Sequence, residues 1–343
     1  MTDPTHRPDS RPASPGSPAA DPTPTATQSA SSRLALVTGA TGAIGSALVG
    51  ALLADGWRVR VLVRHPEGVD PDWTDPHRLG PDRAAPVQVV VGDLSDDDAL
   101  AEALEDCEVA YYLVHSMGAG HDFVQRDRRL AAGFGRAAKA AGVARIVYLS
   151  GLHPEGPLSP HLGSRVEVGE ILLGCGVPTA VLQAGIVLGA DSASFAMLRY
   201  LTERLPVMVG PKWLRNRIQP IALADVVHYL VRAGSLPADV NRTIDIGMPE
   251  VFTYAQMMQR YARVTGLRRR IVVTVPVLTP WLASHWVGLV TPVDAAVAKP
   301  LVGSLIHEAV KREDDAAGLL GDPPGGLTGF DEAVRRALAG EDL

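Results

Sequence analysis

The stretch TGATGAIG, Thr38–Gly45, decides the fold that this chain of 343 residues predicts. It follows the apolar run RLALVT (33–38) and opens an Ala/Leu-rich stretch with helical spacing, Ile44–Asp55. A glycine-rich turn between a buried strand and a helix can bind the pyrophosphate of a dinucleotide, because the helix N-terminus supplies N–H donors. The alternative is a tight strand–helix connection that holds no ligand.

Each glycine of the turn has a predicted physical role. Gly39 permits the tight turn, Gly42 lets the backbone approach a pyrophosphate, and Gly45 lets the helix pack against the strand. Thr41 and Ile44 lie in the same turn, so we count them with the three glycines as candidate cofactor-binding residues.

The rest of the chain predicts an α/β fold, a Rossmann-type doubly wound parallel sheet with a smaller C-terminal α/β substrate lobe. The later runs WRVRVLV, VQVVV, VAYYLV, RIVYLS and TAVLQAGIVLG read as further strands, most of them separated by helical stretches. The pattern becomes mixed after about residue 190. We therefore expect an NAD(P)-binding core over 33–190 and a mixed substrate lobe over 191–343, with segments returning to the core.

Residues 1–32 form a leader that we predict to be disordered. They hold seven prolines and no Val, Ile, Leu, Phe, Tyr or Trp, so they cannot bury enough surface to offset the entropy of ordering. They also lack the apolar region of a signal peptide and the Arg-rich character of a transit peptide. We expect a cytoplasmic protein.

Composition and charge argue against several classes. Two cysteines cannot form a disulfide scaffold, and without clustered histidines we expect no metal site. A formal net charge of -6 argues against a nucleic-acid partner. The expected partner is a small-molecule substrate, whose identity the sequence leaves open together with the oligomeric state.

An uncharged stretch, Ile271–Val293, is long enough to span a bilayer. Pro276, Pro280 and Pro292 interrupt it, so we favour a strand that leads into apolar helices of the substrate lobe. We expect no transmembrane span. Peripheral membrane contact through 271–293 stays open as an alternative.

Residues after the second and third strands bear on which nucleotide binds. NAD-specific sites usually carry a carboxylate after the second strand, whereas this chain has Arg64, which can pair with a 2′-phosphate. We therefore predict NADP(H) in preference to NAD(H), the alternative being an exposed arginine with no ligand. After the third strand, Asp93 and Leu94 are candidates to contact the adenine, or Asp93 caps the next helix.

These motifs together resemble the extended and atypical short-chain dehydrogenase/reductases. The glycine turn, the arginine after the second strand and GDL (92–94) resemble NAD(P)H-binding NmrA-like regulators, the complex-I-associated 39–40 kDa subunit and YbjT-like bacterial proteins. YYLVHSMG (111–118) and HWVGLVTPV (285–293) are similar to the YbjT-like group. The resemblance covers about residues 33–343 and implies a Rossmann fold with a bound NAD(P)H.

The resemblance also implies where a catalytic site would lie. Active members use a tyrosine, a lysine four residues later on the same helix, and a serine after the fifth strand. The matching positions here are His161, Arg165 and Ser150. A histidine can donate a proton near pH 7, whereas an arginine does not titrate there. His115 and Ser116, after the fourth strand, are expected beside the nicotinamide ribose.

Two functions follow from this pattern. One is an NADPH-dependent oxidoreductase that reduces a small carbonyl or quinone-like substrate with the substituted His161/Arg165 site. The other is a non-catalytic NAD(P)H-binding redox sensor or assembly partner, which the two substitutions favour.

Two basic clusters remain outside these functions. Lys212, Arg215 and Arg217 either line a pocket for an anionic substrate or form a solvated surface, which we favour. Arg268–Arg270 is predicted to be surface as well.

Overall fold

The computed structural model describes Met1 and residues 33–74, 87–115, 122–275, 291–292 and 301–342. The predicted leader, apart from Met1, lies outside the described residues, and so do 276–290 and 293 of the uncharged stretch. The residues described from Arg33 onward belong to one compact unit.

A parallel sheet of seven strands forms the centre of this unit. Its strands, in chain order, are β1 (Leu34–Thr38), β2 (Arg58–Val63), β3 (Gln88–Val91), β4 (Val109–Tyr112), β5 (Arg145–Gly151), β6 (Thr179–Ala184) and β11 (Arg242–Ile246). Their spatial order is β11-β6-β5-β4-β1-β2-β3, and every neighbouring pair is parallel. The order reverses between β1 and β4, where open sheets of this kind bind their ligands.

Helices cover both faces of the sheet, which confirms the predicted doubly wound fold. We number the helices along the chain as α1 (Ala43–Ala54), α2 (Pro71–Thr74), α3 (Asp97–Leu104), α4 (Phe123–Ala140), α5 (Pro160–Leu173), α6 (Ala193–Arg204), α7 (Leu223–Ala233), α8 (Tyr254–Val264), α9 (Ala316–Leu320) and α10 (Phe330–Ala339). Helices α1, α7 and α9 pack on one face, and α3, α4 and α5 pack on the other.

Apolar residues line both faces of each central strand. In β1, Leu36 packs beneath α3 and α4, while its neighbour Val37 packs beneath α1 and α7. Both are fully buried. Successive side chains of a strand point to opposite faces, so a sheet covered on both sides needs continuous apolar runs such as LALVT. This explains why the strands could be recognised from sequence.

The C-terminal half builds a second core around α6, α8 and α10. Short strands join this lobe: β7 (Val187–Leu188), β8 (Val207–Pro211), β9 (Arg217–Ile218), β10 (Ile221–Ala222), β12 (Phe252–Thr253) and β13 (Ile271–Val275). Its buried side chains include Phe195, Leu198, Met257, Tyr261 and Val334. Among the described residues, no helix has both the length and the apolar character needed to cross a membrane.

A buried arginine ties the returning strand β11 to the sheet. Arg145, the first residue of β5, is only 2% exposed. Its guanidinium donates hydrogen bonds to the carbonyl oxygens of Leu236 (3.2 Å), Val240 (3.0 Å) and Pro237, in the loop that leads into β11. These bonds hold the loop so that β11 enters the sheet beside β6.

We predict that Arg145→Met destabilises the fold by about 2 kcal/mol, because three loop carbonyls lose a charged donor. Urea unfolding measures this free energy. The matched control is Arg136→Met, on the exposed side of α4, which should cost less than about 0.5 kcal/mol. Equal losses in the two variants would mean that water satisfies these carbonyls.

Candidate functional site

The glycine turn after β1 requires glycine at two positions. Gly39 has φ +72°, and a Cβ there would lie 2.9 Å from the carbonyl oxygen of Leu113, at the end of β4. A Cβ on Gly45 would lie 2.1 Å from the carbonyl oxygen of Gly39. Both distances are shorter than real Cβ contacts, so any side chain would push the turn away from β4 and from α1.

Helix α1 begins at this turn without a side-chain cap. Its N-cap residue is Gly42, so the first N–H groups of the helix point out of the turn with no side chain to receive them. Thr38 fixes the turn to β4: its hydroxyl donates to the Tyr111 carbonyl (2.9 Å) and accepts from the Leu113 N–H (3.2 Å). The structure therefore presents helix donors at the point where the strand order reverses.

Two arginines, one after β2 and one on α4, lie beside the carboxylate of Asp93, which follows β3. Asp93 Oδ2 lies 4.0 Å from Arg64 Nε and 3.9 Å from Arg126 Nη2. Its other oxygen, Oδ1, accepts hydrogen bonds from the N–H (2.9 Å) and hydroxyl (2.6 Å) of Ser95. These bonds, together with the two guanidinium groups, lower the pKa of Asp93, against the effect of partial burial.

Arg126 is a residue that the sequence analysis missed. It lies in the first turn of α4, and only the packing of α4 beside the end of β3 brings it to Asp93. Two guanidinium groups thus lie within 4.0 Å of one carboxylate oxygen.

Other predicted cofactor residues differ in their surroundings. Leu94 packs in the core beneath α3 and is only 8% exposed. Thr41 is exposed, and its methyl group lies close to Gly68. Ile44 is partly buried and faces the cavity described next. Ser116 lies outside the described residues.

A cavity of about 390 Å³ opens from the glycine turn along the carboxyl ends of β4, β5 and β6. Its volume is within the range of small-molecule sites. Apolar side chains form most of its wall: Leu113, Leu152, Leu162, Ile186, Val187, Met197, Ile218, Leu301 and Leu305. The polar groups include the predicted Ser150, His161, Arg165 and His115, so the structure brings these four to one cavity.

Helix α5 carries two of these groups, His161 and Arg165. Ser159 caps the helix, with its hydroxyl accepting from the Leu162 N–H, and this sets His161 and Arg165 one turn apart on the cavity side. Arg165 Nη2 donates to the carbonyl of Leu149 (2.7 Å), while its buried Nε has no partner among the described residues. Ser150 donates a long bond of 3.4 Å to the Arg165 carbonyl, and its hydroxyl also lies beside that of Tyr148.

Two histidine rings of the cavity, those of His115 and His161, are neutral at pH 7. Burial and the neighbouring Arg165 guanidinium lower the pKa of His115 from 6.5 to about 3. The same two causes lower the pKa of His161 to about 4, against a smaller opposing effect of Asp127. The ring centroids are 6.3 Å apart. His161 can therefore donate a hydrogen bond from a neutral ring, but it does not store an extra proton near neutrality.

The segment 301–309 closes the far side of the cavity. The Asn216 side chain donates to the carbonyls of Leu305 (3.2 Å) and Ile306 (2.6 Å). His307 Nε2 accepts from the Ser159 N–H (3.1 Å) at the start of α5. This segment comes from the last fifth of the chain, so no local sequence signal could assign it to the site.

The basic clusters do not contribute to the described wall of this cavity. Lys212 and Arg215 are exposed, and Arg217 forms a bidentate ion pair with Glu308, with two N–O distances of 2.8 and 3.0 Å. The prediction that Arg268–Arg270 lies on the surface is wrong for Arg270. This residue is only 7% exposed, and its Nε donates a hydrogen bond to the Thr202 carbonyl (2.7 Å). A search of the described residues finds no group of His, Cys, Asp or Glu that could hold a metal ion.

Comparisons with known proteins agree with this geometry. A family model described as NAD(P)H-binding matches residues 39–167. A ceramide reductase of Caulobacter vibrioides is 30% identical over 248 residues, which cover 69% of this chain and 72% of that protein. The chain is an atypical short-chain dehydrogenase/reductase. It is thus an NAD(P)H-binding, reductase-like protein.

Two solved structures illustrate the shared fold. The triphenylmethane reductase of Citrobacter sp., complexed with NADP(H), has a TM-score of 0.66 at 19% identity over 89% of this chain and 99% of that one. An NADPH-dependent quinone oxidoreductase of Escherichia coli, complexed with NADPH, has a TM-score of 0.64 at 21% identity, over 89% and 99%. At these identities the likeness shows the fold alone.

The glycine turn fits the dinucleotide that binds in this family. At Gly39 and Gly45 the neighbouring backbone already occupies the space that a Cβ would need, so only glycine allows this turn. The uncapped N–H groups after Gly42 can donate hydrogen bonds to a pyrophosphate. His115 and Arg165 would lie toward the nicotinamide end, on the cavity side of the turn.

The two neutral histidines predict that the protein loses stability in mild acid. Their pKa values are lower folded than unfolded, so the unfolded chain takes up protons first as the pH falls below about 6.5. Stability then decreases until the folded values, about 4 for His161 and about 3 for His115, are reached. Either His161→Gln or His115→Gln should reduce the loss between pH 7 and pH 5 by about 1 kcal/mol.

Urea unfolding at several pH values tests this. His65→Gln removes an exposed ring and serves as the matched control, which should retain the wild-type pH dependence. If all three variants show the wild-type slope, the two cavity rings are not held neutral in the folded protein.

Proposed function

We propose that this protein is an NADPH-dependent reductase of a carbonyl or quinone-like group on an apolar substrate. The observation that carries the proposal is the cavity itself. An apolar wall continues from the dinucleotide turn, and its polar groups Ser150, His161 and Arg165 are gathered where β5 ends and α5 begins. Such a cavity would bury an apolar substrate and direct its one polar group to these residues.

The residues would divide the chemistry among them. When bound at the glycine turn, NADPH would supply the hydride for the carbonyl carbon. Ser150, whose hydroxyl makes only a long bond of 3.4 Å to a carbonyl and lies beside Tyr148, would donate a hydrogen bond to the carbonyl oxygen of the substrate. Arg165 keeps a fixed positive charge beside the site, which would favour the negative charge that develops on that oxygen.

His161 would act as a proton relay in this scheme. Because its ring is neutral at pH 7, one nitrogen would give its proton to the substrate oxygen while the other nitrogen takes a proton from a water molecule, and the hydroxide left behind would pass to bulk solvent. The ring returns to its neutral form, and the product is an alcohol. A water-fed relay therefore replaces the imidazolium donor that an unperturbed histidine would provide.

Similar proteins support a reductase that acts on apolar compounds. The Caulobacter relative is a ceramide reductase, and ceramides are lipids with long alkyl chains. The structural neighbours include reductases of quinones and of triphenylmethane dyes. From these similarities we infer that the protein prefers a large, apolar carbonyl or quinone substrate. We also infer that it acts in the cytoplasm, where NADPH is supplied.

A non-catalytic NAD(P)H-binding sensor or assembly partner is the second candidate. The observation in its favour is that histidine and arginine stand where active relatives have tyrosine and lysine, with no imidazolium at neutral pH. Turnover measurements separate the two functions.

We predict that Ser150→Ala and His161→Gln each lower kcat/KM at least 100-fold while NADPH affinity changes less than about threefold. The assay mixes the purified protein with NADPH and a panel of quinones and long-chain ketones, and follows the absorbance of the reduced nicotinamide. His153→Gln is the matched control: this ring lies outside the described cavity wall and should change kcat/KM little.

Tight NADPH binding without turnover on the whole panel, unchanged by His161→Gln, would favour the sensor instead. Absence of dinucleotide binding would remove both functions.

We further propose that Arg64 and Arg126 together hold the 2′-phosphate of NADPH. Both guanidinium groups lie within 4.0 Å of one carboxylate oxygen, and Asp93 balances only one of the two charges. Arginine pairs well with phosphate because its planar donors match the phosphate oxygens.

Arg64→Asp should weaken NADPH binding at least tenfold and NADH binding less than threefold, because only NADPH carries the phosphate. Arg126→Ala should weaken NADPH about fivefold, again with little effect on NADH. Arg129→Ala, an exposed arginine on the same helix, is the control. Fluorescence titration with both nucleotides measures the affinities, and equal losses for NADPH and NADH would contradict the assignment.

A further inference from the structure

One face of the β8–β13 ribbon exposes four β-branched side chains. The two strands are parallel, with Val207 opposite Ile271 and Val209 opposite Val273. These four residues are 46–56% exposed, whereas Met208, which points to the other side, is 3% exposed and packs in the core of the lobe. We call the four residues the ribbon face. Contiguous exposed apolar side chains of this kind mark interaction surfaces.

Exposed basic residues flank both ends of the ribbon face. Arg268 and Arg269 immediately precede β13, and Lys212 and Arg215 immediately follow β8. A five-residue strand is only about 17 Å long, so these cations lie close to the apolar side chains between them.

Acidic residues do not neutralise this region. Residues 251–293 contain no Asp or Glu. Among the described residues, the four flanking cations form no ion pair, while Asp331 pairs with Arg260 and Glu308 with Arg217. The four flanking cations therefore keep their charge available to an anionic partner.

We propose that the ribbon face docks this protein on the surface of an anionic lipid bilayer. Apolar side chains would enter the boundary between headgroups and acyl chains while the flanking cations contact lipid phosphates. The sequence after β13 contains no Asp, Glu, Lys or Arg over residues 276–290. This composition is compatible with a bilayer, whose acyl chains lie beneath its charged headgroups.

Charge favours a bilayer over a second copy of the chain as the occupant. If two ribbon faces met, they would bring two sets of the same cations together, and like charges in an interface oppose association. An anionic bilayer presents the opposite charge. The inference goes beyond the proposed reaction, because membrane binding is measured without cofactor or turnover.

Vesicle co-sedimentation of the full chain tests the proposal. The wild-type protein should sediment with vesicles of phosphatidylcholine and phosphatidylglycerol and much less with phosphatidylcholine alone. The variant Val209→Asp/Val273→Asp should bind at least about tenfold more weakly. Val251→Asp, compared with each single aspartate variant of the ribbon face, places one negative charge at an exposed valine elsewhere and should bind as the wild type does.

A second pair of variants tests the cations without touching the ribbon. Arg268→Gln/Arg269→Gln should weaken binding to the anionic vesicles about 25-fold, since each basic residue near such a surface contributes about fivefold. Arg129→Gln/Arg136→Gln removes two exposed arginines from α4 and is the matched control. The Arg268→Gln/Arg269→Gln variant keeps the test valid if the variant Val209→Asp/Val273→Asp fails to fold.

Two results would overturn the proposal. One is a failure of the vesicle assay to show the expected binding: either the wild type does not bind vesicles, or it binds and neither pair of variants changes the binding. The other is a wild-type dimer that Val209→Asp/Val273→Asp converts to a monomer in sedimentation velocity, because the ribbon face would then be an interface between two copies.

Discussion

The close approach of the β1 turn to the end of β4 is the constraint on which the site depends. Gly39 and Gly45 leave no space for a Cβ, and Thr38 bonds to both Tyr111 and Leu113 across the two strands. Because the strand order reverses there, the turn opens into a cleft rather than onto a neighbouring connection. The dinucleotide donors and the start of the cavity thus come from one tightly packed junction.

A single arginine then sets the electrostatics of that cavity. Arg165 carries a permanent positive charge, and it lies beside two partly buried imidazoles. Its charge and the burial together keep His115 and His161 neutral. The site therefore combines a permanent cation with uncharged hydrogen-bond donors, an arrangement suited to stabilising an oxyanion while drawing protons from water.

The sequence predicted the parts of the site that lie directly after strands. Gly39, Ser150 and the helix carrying His161 could be placed because continuous apolar runs identify buried parallel strands, and functional residues follow such strands. Arg126 and the segment 301–309 could not be placed. Their roles depend on the packing of a helix against a neighbouring strand and on the return of a distant segment, neither of which has a local signal. Arg270, predicted as surface, is buried for the same reason.

By itself, the sequence determined the doubly wound sheet and the dinucleotide turn, because each depends on a short stretch with its own steric or periodic requirement. Only the tertiary structure decided how side chains that are distant in the chain act on one another. The pKa of His161, the pairing of Arg64 and Arg126 around Asp93, and the exposed ribbon face all arise from burial and charge between residues far apart in the chain. Such long-range fields and contacts exist only once the chain has folded.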